Sequence, residues 1–300
     1  MNKIPAIFNY FQRKLSLLQW HQVVLLFVLS SLFFALIGGL AQFRLSLQTS
    51  YQSASSQIKQ ELWSSQFKTS DWLNHWGKLE KGEWGLDNLE IQAQPNQKFE
   101  TILRVYYPAH SASPTVARKG FPLGGAQFYG TLNIPPQEAL LLSYYVRFPH
   151  HFQFVKGGKL PGLFGGKGNN GGEIPDGTDG FSTRYMWREQ GKGEIYAYLP
   201  TSQNYGTSMG RGHWQFKREQ WYHLQQKIVL NQPNQANGVI QVWVNGKEVI
   251  DQTNVLFRTT DALKIDGILF STFFGGGDAS WATPEDTYAE FANFSITVFN

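Results

Sequence analysis

The chain has 300 residues, 42% of them hydrophobic and 15% aromatic, which is enough to bury one sizeable core. Its formal net charge of +4 is a poor guide to partners, because residues 1–44 carry Lys3, Arg13, Lys14 and Arg44 and no acidic side chain. The remainder holds 22 of the 26 basic residues against 22 acidic ones, so it is formally neutral and offers no broad basic face for nucleic acid. The absence of cysteine excludes disulfides, thiolate zinc sites and cysteine nucleophiles together.

In chain order, residues 1–22 form a basic lead, followed at 23–41 by an uncharged run of 19 residues, VVLLFVLSSLFFALIGGLA. That length spans a bilayer core as a helix, and the basic bias upstream keeps the N-terminus cytoplasmic and exports the rest. The alternative is a cleaved signal peptide, for which Gly39 and Ala41 supply small residues near a processing site. Residues 42–70, rich in Ser and Gln, read as a spacer. From about 71 to 300 the texture changes to short alternating runs broken by Gly, Pro and Asn, which predicts an all-β domain with the architecture of a jelly-roll sandwich. Strands are expected at 98–107, 139–148, 180–188, 194–199, 221–230, 239–244, 265–274 and 289–299. The pair at 221–230 and 239–244 reads as neighbouring strands, the second ending in the turn Asn245-Gly246.

The chemistry concentrates in FSTRYMWREQGKGEIYAYLP, residues 181–200. Strand alternation puts Ser182 and Arg184 on one face and Phe181, Thr183 and Tyr185 on the other. Tyr196 and Tyr198 repeat the two-residue spacing after a short connection, so Arg, Ser and two Tyr converge if the strands are adjacent. Upstream, KGGKLPGLFGGKGNNGG places Lys159 in a glycine-rich loop able to approach a ligand.

GGKLPGL, the FSTRYMWR and IYAYLP blocks, and FFGGGDASWATPEDTYAEFANF together resemble polysaccharide lyase family 14, the alginate and glucuronan lyases. The specific motifs run from 156 to 294, with a diffuse likeness back to about 71. The resemblance implies a β-jelly roll that cleaves an acidic, uronate-containing polysaccharide by β-elimination; no cofactor or metal is expected, with calcium dependence left open. It places the functional set on Lys159, Ser182, Arg184, Tyr196 and Tyr198. Arg184, with Ser182 as a second donor, then binds and neutralises the uronate carboxylate. Lys159 serves as base and Tyr196 or Tyr198 as acid, an assignment that exchange of base and acid would also satisfy.

The remaining candidates are weaker. His150, His151, His213 and His223 lack metal-ligand spacing, and Asp278, Glu285 and Asp286 in the late loop are candidates for lining a groove or holding calcium, with no oxygen-ligand pattern to favour it. A glycoside hydrolase needs two carboxylates flanking the bond, and no E-x-D-x-x-E strand is present. The main rival is a non-catalytic lectin, since Trp187, Trp214, Trp221, Trp243 and Trp281 offer sugar-stacking surface whether or not chemistry occurs.

Overall fold

The computed structural model describes residues 59–67, 71–95 and 97–299. The predicted membrane span at 23–41 lies outside them, and no helix among the described residues is long and apolar enough to cross a membrane.

Two antiparallel sheets pack face to face. One has the order β12 (Lys247–Val255), β11 (Gly238–Val244), β10 (Tyr222–Val229), β5 (Ala139–Arg147), β14 (Thr287–Phe299), β3 (Thr101–Tyr107) and β2 (Leu89–Ala93), with β1 (Lys59–Ser64) also on β14. The other runs β4 (Ala126–Gly130), β13 (Gly267–Phe274), β6 (Gly157–Gly166), β7 (Gly180–Arg188), β8 (Gly193–Tyr198) and β9 (Thr207–Met209). The alternation that predicted strands also sets their faces. In β10, Tyr222, Leu224, Gln226 and Ile228 are buried while the residues between them are half-buried. Aromatic residues join the layers: Tyr144 of β5 meets Tyr185 of β7 edge to face at 5.9 Å and donates its hydroxyl to the Pro161 carbonyl at 3.0 Å. Asn245 and Gly246 both take positive φ, 52° and 78°, in a two-residue link that pairs Val244 with Lys247.

Two expectations are corrected. Residues 157–166, read as a glycine-rich loop, form a central strand bonded to β13 on one side and β7 on the other. Glycine there serves close packing: a Cβ on Gly158 would fall 2.0 Å from the Trp187 ring. Pro161, which has no N–H for a ladder, sits at the register shift between Leu160 and Gly162.

The spacer at 42–70 also ends earlier than expected. Lys59–Ser64 pair with β14 beyond the point where β3 leaves it, from Ser64 opposite Ser295 to Lys59 opposite Phe299. Trp63 and Phe67 are core residues, with Trp63 4.9 Å and Phe67 6.2 Å from Trp76, a fully buried ring that also meets Phe128, Phe270 and Phe294. Short polar strands such as KQELWS carry one or two apolar anchors and little periodicity, so the sequence gives weak notice of them. A chain starting at residue 71 is expected to melt below one starting at 59, and Trp76→Ala to cost about 3–5 kcal/mol, both measured by thermal and denaturant unfolding.

Candidate active site

The central strands β6, β7 and β8 carry the site on the face turned away from the other sheet. Phe181, Tyr185 and Trp187 point into the core, so Ser182, Arg184, Met186 and Arg188 take the opposite face. Register brings the neighbours into line: Arg184 lies opposite Tyr196, Ser182 opposite Tyr198, and Lys159 opposite Met186. The Lys159 ammonium is 4.7 Å from the Tyr196 ring centroid, and the Tyr196 and Tyr198 rings meet edge to face at 5.7 Å. Lys159, Arg184, Tyr196 and Tyr198 are therefore one cluster.

Arg184 is the electrostatic centre. It is 2% exposed, and one terminal nitrogen donates to the Ser271 hydroxyl at 3.1 Å, which in turn donates to Gln127 at 2.9 Å. Its Nε has no partner, and among the described residues the guanidinium makes no ion pair. Burial lowers its pKa, opposed by Tyr198, Tyr129 and Tyr196. A buried cation left without a carboxylate has an unmet demand for an anion.

Lys159 feels that demand. Desolvation first, then the charges of Arg184 and Arg188, hold its ammonium well below the ordinary lysine range, with Glu194 pulling the other way. Tyr196 is pushed up to about 12, chiefly by desolvation and then by Tyr198, with Arg188 and Arg184 opposing. The site thus favours a neutral amine beside a neutral phenol. Tyr198 is anchored by the Gly172 N–H, which donates to its hydroxyl at 3.1 Å.

Ser182 departs from the expected second-donor geometry. It is fully buried, and its hydroxyl donates to the Asn169 carbonyl at 2.5 Å, tying the 167–172 segment to β7. Of the five tryptophans singled out, Trp187 and Trp214 are core residues, Trp221 and Trp243 belong to the other sheet's side, and Trp281 stands by the cluster, 6.0 Å from the Arg188 guanidinium. His223 stacks on Tyr145 and bonds Ser143, and His213 bonds the Val249 carbonyl, both away from the cluster. Asp278 caps a turn at Ser280, Glu285 accepts from Gln153, and Asp286 accepts from the Ala109 N–H. Among the described residues no group of three or more His, Asp or Glu is arranged to hold a metal ion.

Several neighbours escaped the sequence reading. Arg188 lies four residues after Arg184 on the same face, and its ion pair with Glu194 at 2.6 Å sets it 5.5 Å from the Tyr196 ring. Glu194 is fully buried and is also paired with Arg211 at 2.5 Å. Strand alternation through Arg184 and Tyr196 gave a signal for Arg188 and Glu194. Ser271, Gln127 and Tyr129 come from β13 and β4, and nothing local marked them.

The polysaccharide lyase 14 family model matches residues 95–294. The chain belongs to this family. A solved PL-14 alginate lyase from Aplysia kurodai is 30% identical, covering 80% of this chain and all of that one, with a TM-score of 0.69. Exolysin of Paramecium bursaria Chlorella virus 1 is 27% identical over 210 residues, 58% of this chain. The match spans only about a third of that relative's length (32%). At the level of fold alone, the chain is also similar to a mutant of alginate lyase Aly36B solved with an alginate trisaccharide, with 24% identity, coverage of 72% and 86%, and a TM-score of 0.60.

Arg184→Met is expected to fold and to melt no lower than the parent protein in calorimetry, because it replaces an uncompensated buried charge with an apolar chain of similar length.

Proposed function

We propose that this family member is a lyase that cleaves a uronate polymer, alginate or polyglucuronate, by β-elimination. The observation that carries this reading is the buried Arg184, without a carboxylate partner among the described residues, beside a lysine held well below its usual pKa. A uronate carboxylate supplies the missing counter-charge, and as the C5–H bond breaks its charge grows, so Arg184 stabilises the transition state more than the bound substrate. Neutral Lys159 takes the C5 proton. The electron pair forms the C4–C5 double bond, the C4–O bond breaks, and Tyr196 protonates the departing oxygen. Tyr196 fits the acid role because its pKa of about 12 keeps the phenol protonated where a depressed lysine is already neutral. Ser182 acts from behind, through the segment it fastens at Asn169.

The exported setting belongs to the same proposal: a basic lead, an apolar run at 23–41 and a domain outside the cytoplasm, tethered there to work on polysaccharide at the cell's own surface. Active protein released with a mature N-terminus near Gln42 would instead mark the run as a cleaved signal.

Incubation with alginate, glucuronan and hyaluronan is expected to produce the ultraviolet absorbance of an unsaturated uronate. New reducing ends without absorbance would indicate hydrolysis, and binding without turnover a lectin. Lys159→Ala, Tyr196→Phe and Arg184→Met are each expected to lower kcat by at least about 10²-fold in folded protein. Activity should rise with pH as Lys159 loses its proton, below the ordinary lysine range. Arg188 depresses that pKa, so Arg188→Gln should move the rising limb to higher pH in a kcat/KM profile.

A further inference from the structure

Residues 77–88 precede residue 95, where the family match begins, yet they extend the site's sheet by one rung. The Trp84 N–H donates to the Gln127 carbonyl at 3.0 Å, and the Gln127 N–H returns the bond to Trp84 at 2.9 Å. Opposed residues of an antiparallel pair share a face. Gln127 is opposite Ser271, Ser271 accepts from Arg184, and Arg184 is opposite Tyr196. Trp84 thus begins a row that runs across the strands to the reacting cluster.

Its indole is half-buried and meets the Phe273 ring edge on at 5.4 Å. Phe273 is opposite Lys159 in the ladder, and its ring centroid lies 5.8 Å from the Lys159 ammonium. A single ring therefore separates Trp84 from the proposed base. The segment is fixed in place: Asn88 donates to the Gly125 and Leu123 carbonyls at 2.8 and 3.2 Å, and the Gln127 amide donates to the Gly82 carbonyl at 2.9 Å. Gly85, at a φ of 68°, lies so close to β4 that a Cβ would fall 2.2 Å from the Gly125 carbonyl oxygen. An aromatic face held in advance beside an acidic-sugar site costs little entropy when a pyranose ring stacks on it.

We propose that Trp84 is the stacking platform for a uronate unit on the β4 side of the cleaved bond, and so sets a minimum chain length for efficient substrates. This rests on the lyase reading above. It gives a role at the site to a part of the chain outside the family match.

The test is steady-state kinetics of the full chain on alginate and on its oligosaccharides graded by length. Trp84→Leu, which keeps contact with Phe273 but has no flat face, is expected to raise KM for polymer about tenfold with kcat nearly unchanged, the mark of lost uniform binding. For the shortest cleaved oligosaccharides its KM should match the parent's, and Trp84→Tyr should restore most of the loss on polymer. Equal KM values for the parent and Trp84→Leu on polymer, a loss independent of chain length, or a fall in kcat alone would overturn the platform while leaving the lyase intact. A parent protein that produces no unsaturated uronate from any of these polymers overturns the lyase reading and the platform with it.

Discussion

The site depends on one unmet electrostatic demand, the buried guanidinium of Arg184. Other arginines of the domain show the usual remedy. Arg258, 4% exposed in its side chain, is paired with Glu138, Arg104 and Arg147 flank Glu290, and Arg188 shares Glu194 with Arg211. Among the described residues Arg184 has a hydroxyl and nearby phenols, which solvate its charge without cancelling it. A charge in such surroundings is costly, and the surrounding ladder hydrogen bonds and aromatic packing hold it there. That cost makes the site selective for an anion that fits, and the same charge adds to desolvation in holding Lys159 below the ordinary lysine range.

Lys159 and Tyr196 inherit their states from this arrangement. Placed near two arginines and desolvated, the lysine is driven toward the free amine, while desolvation keeps the tyrosine a phenol. Glu194 moderates the effect: it neutralises part of Arg188 and sits opposite Met186, the residue that also faces Lys159. The acid and the base are separated by environment, because an amine and a phenol start from similar pKa values and burial moves them in opposite directions. Their spacing is fixed by three adjacent strands in the middle of a six-stranded sheet, a rigid platform for atoms that must stay in register.

The residues ahead of the family match build the scaffold as well as the site. Trp63, Phe67 and Trp76 fill the core against Phe128, Phe270 and Phe294, and a few residues later the same stretch of chain is sewn to β4 at Trp84 and Gln127. The large sheet carries no part of the reacting cluster. Its contribution is to back β7, as where Gln226 accepts from the Thr183 hydroxyl and the Leu163 N–H.

By itself the sequence determined what is local or periodic: the β class, the strands whose apolar residues alternate, the shared face of Ser182 and Arg184, the i, i+2 tyrosines, and the motif order that marks the family. The two-residue period of a strand writes those features directly into neighbouring positions. Only the tertiary structure decided that the glycine-rich stretch around Lys159 is a central strand, that Ser182 is spent on Asn169, that Ser271, Gln127 and Tyr129 gather on the Arg184 side, and that Trp84 stands one ring away from Lys159. The reason is physical. Glycine carries no periodic signal, a hydroxyl's partner depends on what lies within about 3 Å of it, and a pKa depends on charges that chain order leaves far apart. Strand pairing across the sheet brings those groups together, and no span of ten or twenty residues contains it.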